Sequence, residues 1–461
     1  MSNFFRQLWE AIKGKERDYT TGSINYAIFM LAVPMILEMT MESLFAIVDV
    51  FFVSKIGVNA VAIVGLTESV LTLVYSLAWG ISMGVTAVVA RRIGEKHPEE
   101  ASKAAGQAIW IAVILAILIG IPGYLGSEHI LRLMGASETV ISAGLWYTKY
   151  MFGGNVVIML LFILNAVFRG AGDASIAMRT LLLSNAINII LDPCLIFGWG
   201  PFPAMGVAGA AMATNIGRGI GVLYQLYHLF FVKRIIHIQS RHLRLIPLII
   251  EKILRVSTGG VFQFIISSAS WIFLMRIMAR FGEGALAGYT ISIRILIFTI
   301  LPAWGLANAA ATLVGQNLGA EKFDRAEQSV WRTALYTMLF MVVVAVFYFL
   351  FASTIMSWFT DDVHAIAYGT ESLRIFSIGY LFFAYGMVLS QAFNGAGDTF
   401  TPTLLNLICF WAIQIPLAYF LAVTLSWNAQ GVYWGAVLSE SLLAVLLIIL
   451  FKRGRWKKVK V

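Results

Sequence analysis

The chain has 461 residues, of which 59% are hydrophobic and only 12% are charged. Because soluble proteins carry about 25% charged residues, this composition excludes a soluble globular protein and indicates a protein that crosses the membrane many times. The formal net charge is +9, but the basic chain end and loops are typical of a surface that binds anionic lipid, so we expect no nucleic-acid partner. The two cysteines, Cys194 and Cys409, lie far apart in apolar segments and indicate neither a disulfide framework nor a metal site.

Twelve apolar segments follow the N-terminal segment, and each is long enough to cross a bilayer. We therefore predict an all-α membrane protein with spans at 25–54, 61–90, 104–125, 140–168, 174–198, 204–232, 248–280, 286–318, 329–351, 365–393, 400–424 and 430–451. Pro34 and Pro302 lie inside the first and the eighth span, where each removes a backbone hydrogen bond and favours a bend.

The first predicted span carries three carboxylates, Glu38, Glu42 and Asp49. Their spacing places them within an arc of roughly 60° on a helix. A carboxylate at the centre of a bilayer costs roughly 2.5–3.5 kcal/mol, so this stripe faces protein or a water-filled cavity and not lipid. The stripe is either a buried polar contact between helices or a cation site, and we favour the cation site.

Two further spans each present polar side chains on one face, namely Glu68, Thr72 and Tyr75 in the second span, and Asn185, Asn188 and Asp192 in the fifth. At 1.5 Å per residue, Asp49 and Asp192 both lie roughly 9 Å below the outer surface, and Glu42 lies near the midplane. We therefore predict a polar pocket inside the first bundle, centred on Asp49 and Asp192. The alternative for Asp192, which precedes Pro193, is that it caps a helix end.

Lysine and arginine are distributed unevenly between the two sides of the predicted membrane. Most of them lie at the two chain ends, with Lys15 and Arg17 among them, and in the loops around 91–103, 169–179, 233–255 and 322–332. The other side has only Lys55, Arg132, Lys149, Arg280 and Arg374. By the positive-inside rule, we predict an inner (plasma) membrane protein with both termini in the cytoplasm.

An internal repeat relates the two halves of the chain. Trp79 recurs as Trp304, and FRGAGD at 168–173 recurs as FNGAGD at 393–398, always with a spacing of 225 residues. A constant spacing through six spans indicates a duplicated unit, and an even number of spans gives both copies the same orientation, with a pseudo-two-fold axis along the membrane normal. We predict a cytoplasmic N-terminal segment, an N-terminal six-helix lobe, a cytoplasmic connection, a C-terminal six-helix lobe and a basic tail, at 1–24, 25–232, 233–247, 248–451 and 452–461.

The two copies of GAGD each predict a glycine with positive φ followed by an aspartate, Asp173 or Asp398, that caps the next helix. We prefer this structural role to a catalytic one.

The two halves differ in their acidic residues. At the positions of Glu38, Glu42 and Asp49, the second half has Gln263, Ser267 and Leu274. The buried charges expected in the second half are Glu440, Arg276 and Arg294, and we favour an ion pair between them.

With VDVFFVSKIG around Asp49, the paired GAGD turns, LDPCLIFG around Asp192 and GVAGAAMAT before Asn215, the sequence resembles multidrug and toxic compound extrusion (MATE) transporters over nearly all of residues 25–451. The resemblance implies two lobes that alternate between outward-open and inward-open states, and cation-coupled export of amphipathic, often cationic, organic compounds. It maps the coupling carboxylate onto Asp49, its fifth-helix partners onto Asn188 and Asp192, and a sixth-helix threonine onto Thr214. A sodium ion would bind at these four residues.

We therefore predict a secondary antiporter, not an enzyme, that acts as a monomer in the lipid bilayer on a small organic substrate. It needs no cofactor, and the coupling ion is a proton or sodium. The predicted coupling residues are Asp49, Asp192, Asn188, Thr214 and Glu42, with Glu38, Glu68, Asn185 and Glu440 as secondary candidates. The alternative is a flippase for lipids or lipid-linked oligosaccharides of the same superfamily. Such flippases often have two further helices and a basic central cavity, whereas this sequence predicts twelve helices and an acidic cavity.

Overall fold

A computed structural model describes residues 2–14 and 18–461, with every side chain in these ranges except those of Ser2 and Asn3. The described chain is helical, without a strand. Its α-helices are, in chain order, α1 (Ser2–Lys13), α2 (Ile24–Ser54), α3 (Val58–Gly94), α4 (Pro98–Leu125), α5 (Ser127–Leu133), α6 (Glu138–Gly153), α7 (Asn155–Ala171), α8 (Ala174–Phe197), α9 (Val207–Phe230), α10 (Pro247–Met278), α11 (Glu283–Gly319), α12 (Phe323–Ser357), α13 (Val363–Ala396), α14 (Phe400–Asn406), α15 (Ile415–Tyr419) and α16 (Ala429–Lys452). π-Helical segments at Leu407–Gln414 and Phe420–Thr424 join α14 and α15 into one span.

Nine helical units within the described ranges are long and apolar enough to cross a membrane, and the pair α6 and α7, bent by 43° at Gly154, makes a tenth. The helices α2 and α9, of 31 and 24 residues, occupy the positions of the first and the sixth predicted span. With these two the spans number twelve, as predicted. The apolar sequence of α2 is interrupted by its three carboxylates and that of α9 by Arg218, and both helices turn these groups towards other helices.

The spans pack as two lobes of six. In the first lobe, α8 packs against α2 and α9, while α7 packs against α3 and α4. In the second lobe, α13 is central and packs against α11, α12 and α16. Between the lobes, α2 packs against α11, and α3 packs against α10 and α11. The contacts between the lobes therefore come mainly from the first two spans of each repeat.

The lobes approach most closely where glycines recur in the repeat. Gly80 of α3 lies against the backbone of α10, and its counterpart Gly305 of α11 lies against the backbone of α2. Gly94 and Gly319, another matched pair, lie against each other's helices, and neither position has room for a side chain. Only glycine permits so close an approach of two backbones. These glycines recur because each lobe uses them to contact the other.

The end of the molecule that holds the two GAGD turns and the loops after Gly94 and Gly319 is called the basic end below. Here the Arg325 guanidinium of the second lobe donates to backbone carbonyls of residues 19, 21 and 22, which precede the first span. The interlobe hydrogen bonds of the described residues lie between this end and the level of Trp79. The lobes are therefore held together at the basic end. Lys15 and Arg17, two of the cations predicted to lie at this end, are outside the described residues.

The GAGD turns have the predicted glycine conformation, but only one of their two aspartates forms the predicted side-chain cap. Gly172 and Gly397 have φ values of 86° and 89°, as predicted. Asp398 accepts a hydrogen bond of 3.1 Å from the backbone N–H of Thr401, so it caps the next helix. Asp173 occupies the N-cap position of α8, but the predicted side-chain cap is wrong, because its carboxylate binds Arg234 and Ser175 and accepts no backbone N–H of that helix. A charge-assisted hydrogen bond to an arginine is stronger than a hydrogen bond to a neutral N–H.

Candidate functional site

The carboxylate of Glu38 is fully buried and forms an ion pair with Arg169 at the end of α7. The Arg169 Nη1 atom lies 2.7 Å from Glu38 Oε1, while Glu38 Oε2 has no hydrogen-bond partner. The sequence interpretation placed Arg169 among the loop cations, and that assignment is wrong, because the side chain turns inward and is buried. One arginine next to a buried carboxylate offsets much of the cost of burying either charge.

The second carboxylate of the stripe, Glu42, is also paired. Its Oε1 atom lies 2.8 Å from Arg218 Nη2 on α9, and Arg218 is buried. The Arg218 guanidinium also lies 4.4 Å from the ring centroid of Phe45, a distance at which cation–π attraction is favourable. The sequence analysis missed Arg218. The available signal was an arginine inside the sixth predicted span, which needs a partner in a membrane.

The third carboxylate, Asp49, has no ion-pair partner among the described residues. It is half-buried, and its Oδ1 atom is buried without a hydrogen-bond partner. Asp192 on α8 is fully buried, close enough to Asp49 for the two carboxylates to repel each other. Glu68 on α3 lies within electrostatic reach of Asp49 and of Arg218. The structure therefore brings Asp49, Asp192 and Glu68 together inside the first lobe.

Asp192 lies inside α8, which continues through Pro193 to Phe197, so the alternative of a helix cap does not apply. Its Oδ1 atom accepts a hydrogen bond of 3.1 Å from Asn188 Nδ2. Two further oxygens of this pair, Asn188 Oδ1 and Asp192 Oδ2, are buried without a partner. With Asp49 Oδ1 they make three unsatisfied acceptor oxygens, which is the chemistry that a proton or a hard cation such as sodium requires.

Two further predicted residues of the first lobe, Thr214 and Asn185, lie on α9 and α8. Thr214 is buried on α9, one helical turn before Arg218. The same helix is held close to α8 at Gly217, whose backbone lies against Ser184 and Asn188. Asn185 instead donates a hydrogen bond of 2.6 Å to the carbonyl of Met41, so it joins α8 to α2.

Glu440 in the second lobe does not form the predicted ion pair. Among the described residues no cation lies within 4 Å of its carboxylate, and Arg276 and Arg294 are exposed. The prediction fails because the two arginines are exposed on α10 and α11, whereas Glu440 is half-buried on α16 and lies within electrostatic reach of Cys409. Glu440 is also remote in the fold from the carboxylates of the first lobe.

A cavity lies between the lobes, next to the Glu38–Arg169 pair. Its lining includes Trp79, Phe162 and Trp304, several carboxamides, and Arg169. None of the described aspartates and glutamates lines it. This cavity therefore lacks the predicted acidic character, because Arg169 covers Glu38 and the other acids of the predicted site lie within the first lobe or, in the case of Glu440, away from the lining.

Comparisons with known proteins agree with this architecture. The sequence matches the family described as MatE over residues 34–194 and again over residues 260–420, once in each repeat. It is 28% identical over 317 residues to a probable multidrug resistance protein NorM of Thermotoga maritima, covering 68% of this chain and 67% of that protein. It is 24% identical over 374 residues to an FAD transporter of Shewanella oneidensis, covering 81% of this chain and 83% of that protein.

One solved structure superimposes on nearly the whole chain. It is described as the outward-facing conformation of a multidrug resistance MATE family transporter of the MOP superfamily. The TM-score is 0.90 at 26% sequence identity, and the match covers 96% of this chain and 99% of that structure. The two-lobe fold thus has a counterpart among solved transporters.

Proposed function

This chain belongs to the MatE family of multidrug transporters, and we propose that it exports amphipathic organic compounds by antiport against protons or sodium ions. The relatives are named for multidrug resistance and for FAD transport, so the family alone does not choose one substrate. We further propose that the protein works as a monomer in the plasma membrane, with both termini and the basic end in the cytoplasm.

The main support for the proposal is that the Asp49 carboxylate has no ion-pair partner among the described residues. Glu38 and Glu42 on the same helix each have an arginine within 2.8 Å, so changing their charge would leave a buried cation without its partner. Asp49 can gain or lose a proton without breaking an ion pair. With Asp192 and Asn188 it offers buried oxygens that a sodium ion would use in the same way.

The helix that carries Asp49 also holds the lobes together. The opposite half of α2 packs against α11, and Gly305 of α11 lies against the backbone of Met35. Pro34, whose missing backbone hydrogen bond favours a bend, lies next to Met35 at this contact. Binding of a cation at Asp49 changes the charge on one end of α2, and the two conformations of this helix differ in how well its other end packs against the second lobe.

Exchange follows if cation and substrate bind different populations of the protein. A ligand shifts a two-state equilibrium only by its differential affinity for the two states. We propose that the cation favours the state in which Asp49 is neutralised and that the substrate favours the state in which Asp49 is free. Entry of one ligand then releases the other on the opposite side of the membrane.

Flux measurements in proteoliposomes test the proposal. A fluorescent organic compound is loaded, and its efflux is followed with an imposed proton gradient, with an imposed sodium gradient and with neither; protein-free liposomes are the control. We expect one of the two gradients to accelerate efflux. Equal rates under all three conditions would contradict antiport.

The proposed orientation is tested by cysteine labelling in a protein whose Cys194 and Cys409 are replaced by serine. Positions 240 and 200 are both exposed and lie on opposite sides of the predicted membrane. A membrane-impermeant reagent added outside the cell should label Gly200→Cys and leave Ser240→Cys unmodified. Strong labelling at position 240 would reverse the topology.

A flippase for lipids or lipid-linked oligosaccharides remains the second candidate. The observation in its favour is Arg169, a cation that lines the central cavity and suits a phosphate group. The twelve spans and the multidrug relatives favour the exporter. Reorientation of a labelled lipid in the same proteoliposomes separates the two, because an exporter leaves the lipid distribution unchanged.

A further inference from the structure

The walls of the interlobe cavity are aromatic and are contributed by both lobes. Trp79 and Trp304 occupy equivalent positions in the repeat, and their ring centroids are 6.4 Å apart. Phe162, which also lines the cavity, has its ring centroid 5.8 Å from that of Trp79. Both tryptophans are only half-buried, so part of each ring faces the cavity. Such a surface favours a flat aromatic ligand, which can stack against these rings.

The only charged side chain in the described lining of the cavity is a cation. In the Glu38–Arg169 pair, the Arg169 side chain is 11% exposed and the Glu38 side chain is 1% exposed. The arginine therefore stands between the carboxylate and the cavity, and its remaining N–H groups are available to a ligand. A cationic ligand would place its charge next to Arg169 without a carboxylate beside it.

The rest of the polar lining consists largely of carboxamides from the second lobe. Gln391 Nε2 donates to Asn308 Oδ1 at 2.9 Å, and Asn394 Nδ2 donates to Gln391 Oε1 at 3.3 Å. This arrangement fixes the orientation of the Asn308 amide and leaves its Nδ2 donors unused in these bonds. Asn308 is half-buried and lines the cavity. Such a group recognises the carbonyl edge of a heterocyclic ring.

We infer that the interlobe cavity selects flat heteroaromatic compounds that carry a carbonyl edge and an anionic substituent, in preference to organic cations of the same shape. The inference rests on the proposed transport function and specifies its substrate class. The aromatic walls hold the ring, Asn308 donates to the carbonyl edge, and Arg169 binds the anionic group by charge-assisted hydrogen bonds.

Three fluorescent probes of similar ring size test the inference by equilibrium binding to the purified full-length protein. Flavin mononucleotide is an anion, riboflavin is its neutral counterpart, and ethidium is a flat cation. We expect flavin mononucleotide to bind about tenfold more tightly than riboflavin, which corresponds to one charge-assisted contact, and ethidium to bind most weakly. Tightest binding of ethidium, or equal binding of all three, would overturn the inference.

Two cavity variants and one control variant separate a change in ligand preference from a loss of folding. The double variant Glu38→Gln with Arg169→Asn installs the pair that the second lobe already has at the equivalent positions, Gln263 and Asn394. It should bind flavin mononucleotide and riboflavin equally. Asn308→Asp adds a carboxylate to the cavity and should shift the preference towards ethidium. Asn59→Asp makes the same change at an exposed position and should leave all affinities unchanged.

The outcome of these titrations is separable from that of the flux experiment. If the double variant retains the preference for flavin mononucleotide, Arg169 does not select the substrate and the inference fails, even if an imposed gradient drives export of another compound. If the binding preference is as expected but no gradient accelerates efflux, the substrate class stands and antiport fails.

Discussion

The two lobes share a backbone arrangement but differ in charge at equivalent positions. In the first lobe, Glu38 pairs with Arg169; in the second, Gln263 Nε2 donates to Asn394 Oδ1 at 2.9 Å. Each pair joins the first span of its repeat to the residue before a GAGD turn. The neutral pair shows that the fold needs a hydrogen bond here and does not need an ion pair. The pair in the first lobe is charged instead, and its arginine lines the interlobe cavity.

The same contrast recurs at the basic end. Arg91 Nη2 of the first lobe donates to the Ala396 carbonyl of the second lobe at 3.2 Å, and Gln316 Nε2 of the second lobe donates to the Gly170 carbonyl of the first at 3.0 Å. Both donors come from the second span of their repeat, and both acceptors lie in a GAGD turn. A duplicated scaffold thus keeps its hydrogen bonds while one copy acquires charged side chains.

The largest effect is expected from breaking the ion pair of the first lobe. The Arg169→Asn variant leaves Glu38 buried without its cation, which costs about 3–5 kcal/mol of folding free energy. Thermal unfolding of the detergent-solubilised protein, followed by tryptophan fluorescence, measures the loss. The double variant Glu38→Gln with Arg169→Asn should recover most of it. A double variant as unstable as Arg169→Asn would show that the lobes are not equivalent here.

A smaller but functionally specific effect is expected on α8. Asp192→Asn and Asn188→Ala remove oxygens of the candidate cation site and should each lower gradient-driven efflux at least about tenfold, or roughly 1.4 kcal/mol. The amount of folded protein should stay near that of the wild type, because Asn188 Oδ1 and Asp192 Oδ2 have no partner among the described residues, and each variant affects one hydrogen bond, from Asn188 Nδ2 to Asp192 Oδ1. The matched control is Ile413→Ala, at the position of Asn188 in the second lobe. Equal losses at both positions would contradict a site confined to the first lobe.

A third prediction concerns closure of the basic end. Arg91 Nη2 donates to two carbonyls, of Ala396 and Val459, whereas Gln316 Nε2 donates to one. Arg91→Ala should therefore weaken closure more than Gln316→Ala, by about 1–2 kcal/mol, because hydrogen bonds to charged groups contribute more than neutral ones. Spin labels at the exposed positions 97 and 321 report the distance between the lobes. Identical distance distributions in both variants would contradict the ranking.

The smallest effect is expected in the turns after Gly94 and Gly319. Lys96 and Glu321 occupy equivalent positions and have φ values of 62° and 59°, which favour glycine. Glu321→Gly should stabilise the protein by up to about 1 kcal/mol, because it relieves this conformation. Lys96→Gly should gain less, because Lys96 Nζ also forms a hydrogen bond of 2.8 Å to Asp18 Oδ2. If Lys96→Gly stabilised the protein more than Glu321→Gly, the Lys96–Asp18 contact would contribute nothing to stability.

The pH dependence of stability is a second measure of the contact between Lys96 and Asp18. Partial burial of the Asp18 carboxyl opposes ionisation, but hydrogen bonds from Lys96 and Thr20 lower its pKa to about 2. A lowered pKa stabilises the folded state above the unfolded pKa of about 3.9, and this stabilisation is lost as pH falls towards 2. The gain in stability of Lys96→Gly over the wild type should therefore be constant from pH 5 to pH 8 and increase below pH 4, because the wild type then loses the Lys96–Asp18 contact that offsets this gain.

Much of the fold could be predicted from sequence because its signals are local. A run of about 20 apolar residues is sufficient to identify a span, and the constant spacing of Trp79 and Trp304 is sufficient to identify the repeat. The clustering of Asp49 and Asp192 also followed from helical spacing and depth. These features require knowledge of one helix, or of one helix and its copy.

The ion pairs could not be predicted in the same way, because they depend on which faces of different helices meet. Arg169 lies within a few residues of a span end, where a small boundary error changes a buried side chain into a loop cation. Arg218 is an isolated charge in α9, and its partner Glu42 lies on α2. The same reasoning produced the wrong partner for Glu440, since hydropathy does not show that the Arg276 side chain is exposed.

The central claim is that Asp49, the unpaired carboxylate of α2, couples export to a cation gradient. The most direct test compares Asp49→Asn with Glu283→Gln, an acid-to-amide change at an exposed position of the second lobe. Efflux of a fluorescent substrate from proteoliposomes is measured with and without the driving gradient. We expect Asp49→Asn to bind substrate yet to show the same rate under both conditions, while Glu283→Gln behaves as the wild type. Full acceleration by the gradient in Asp49→Asn would contradict the account.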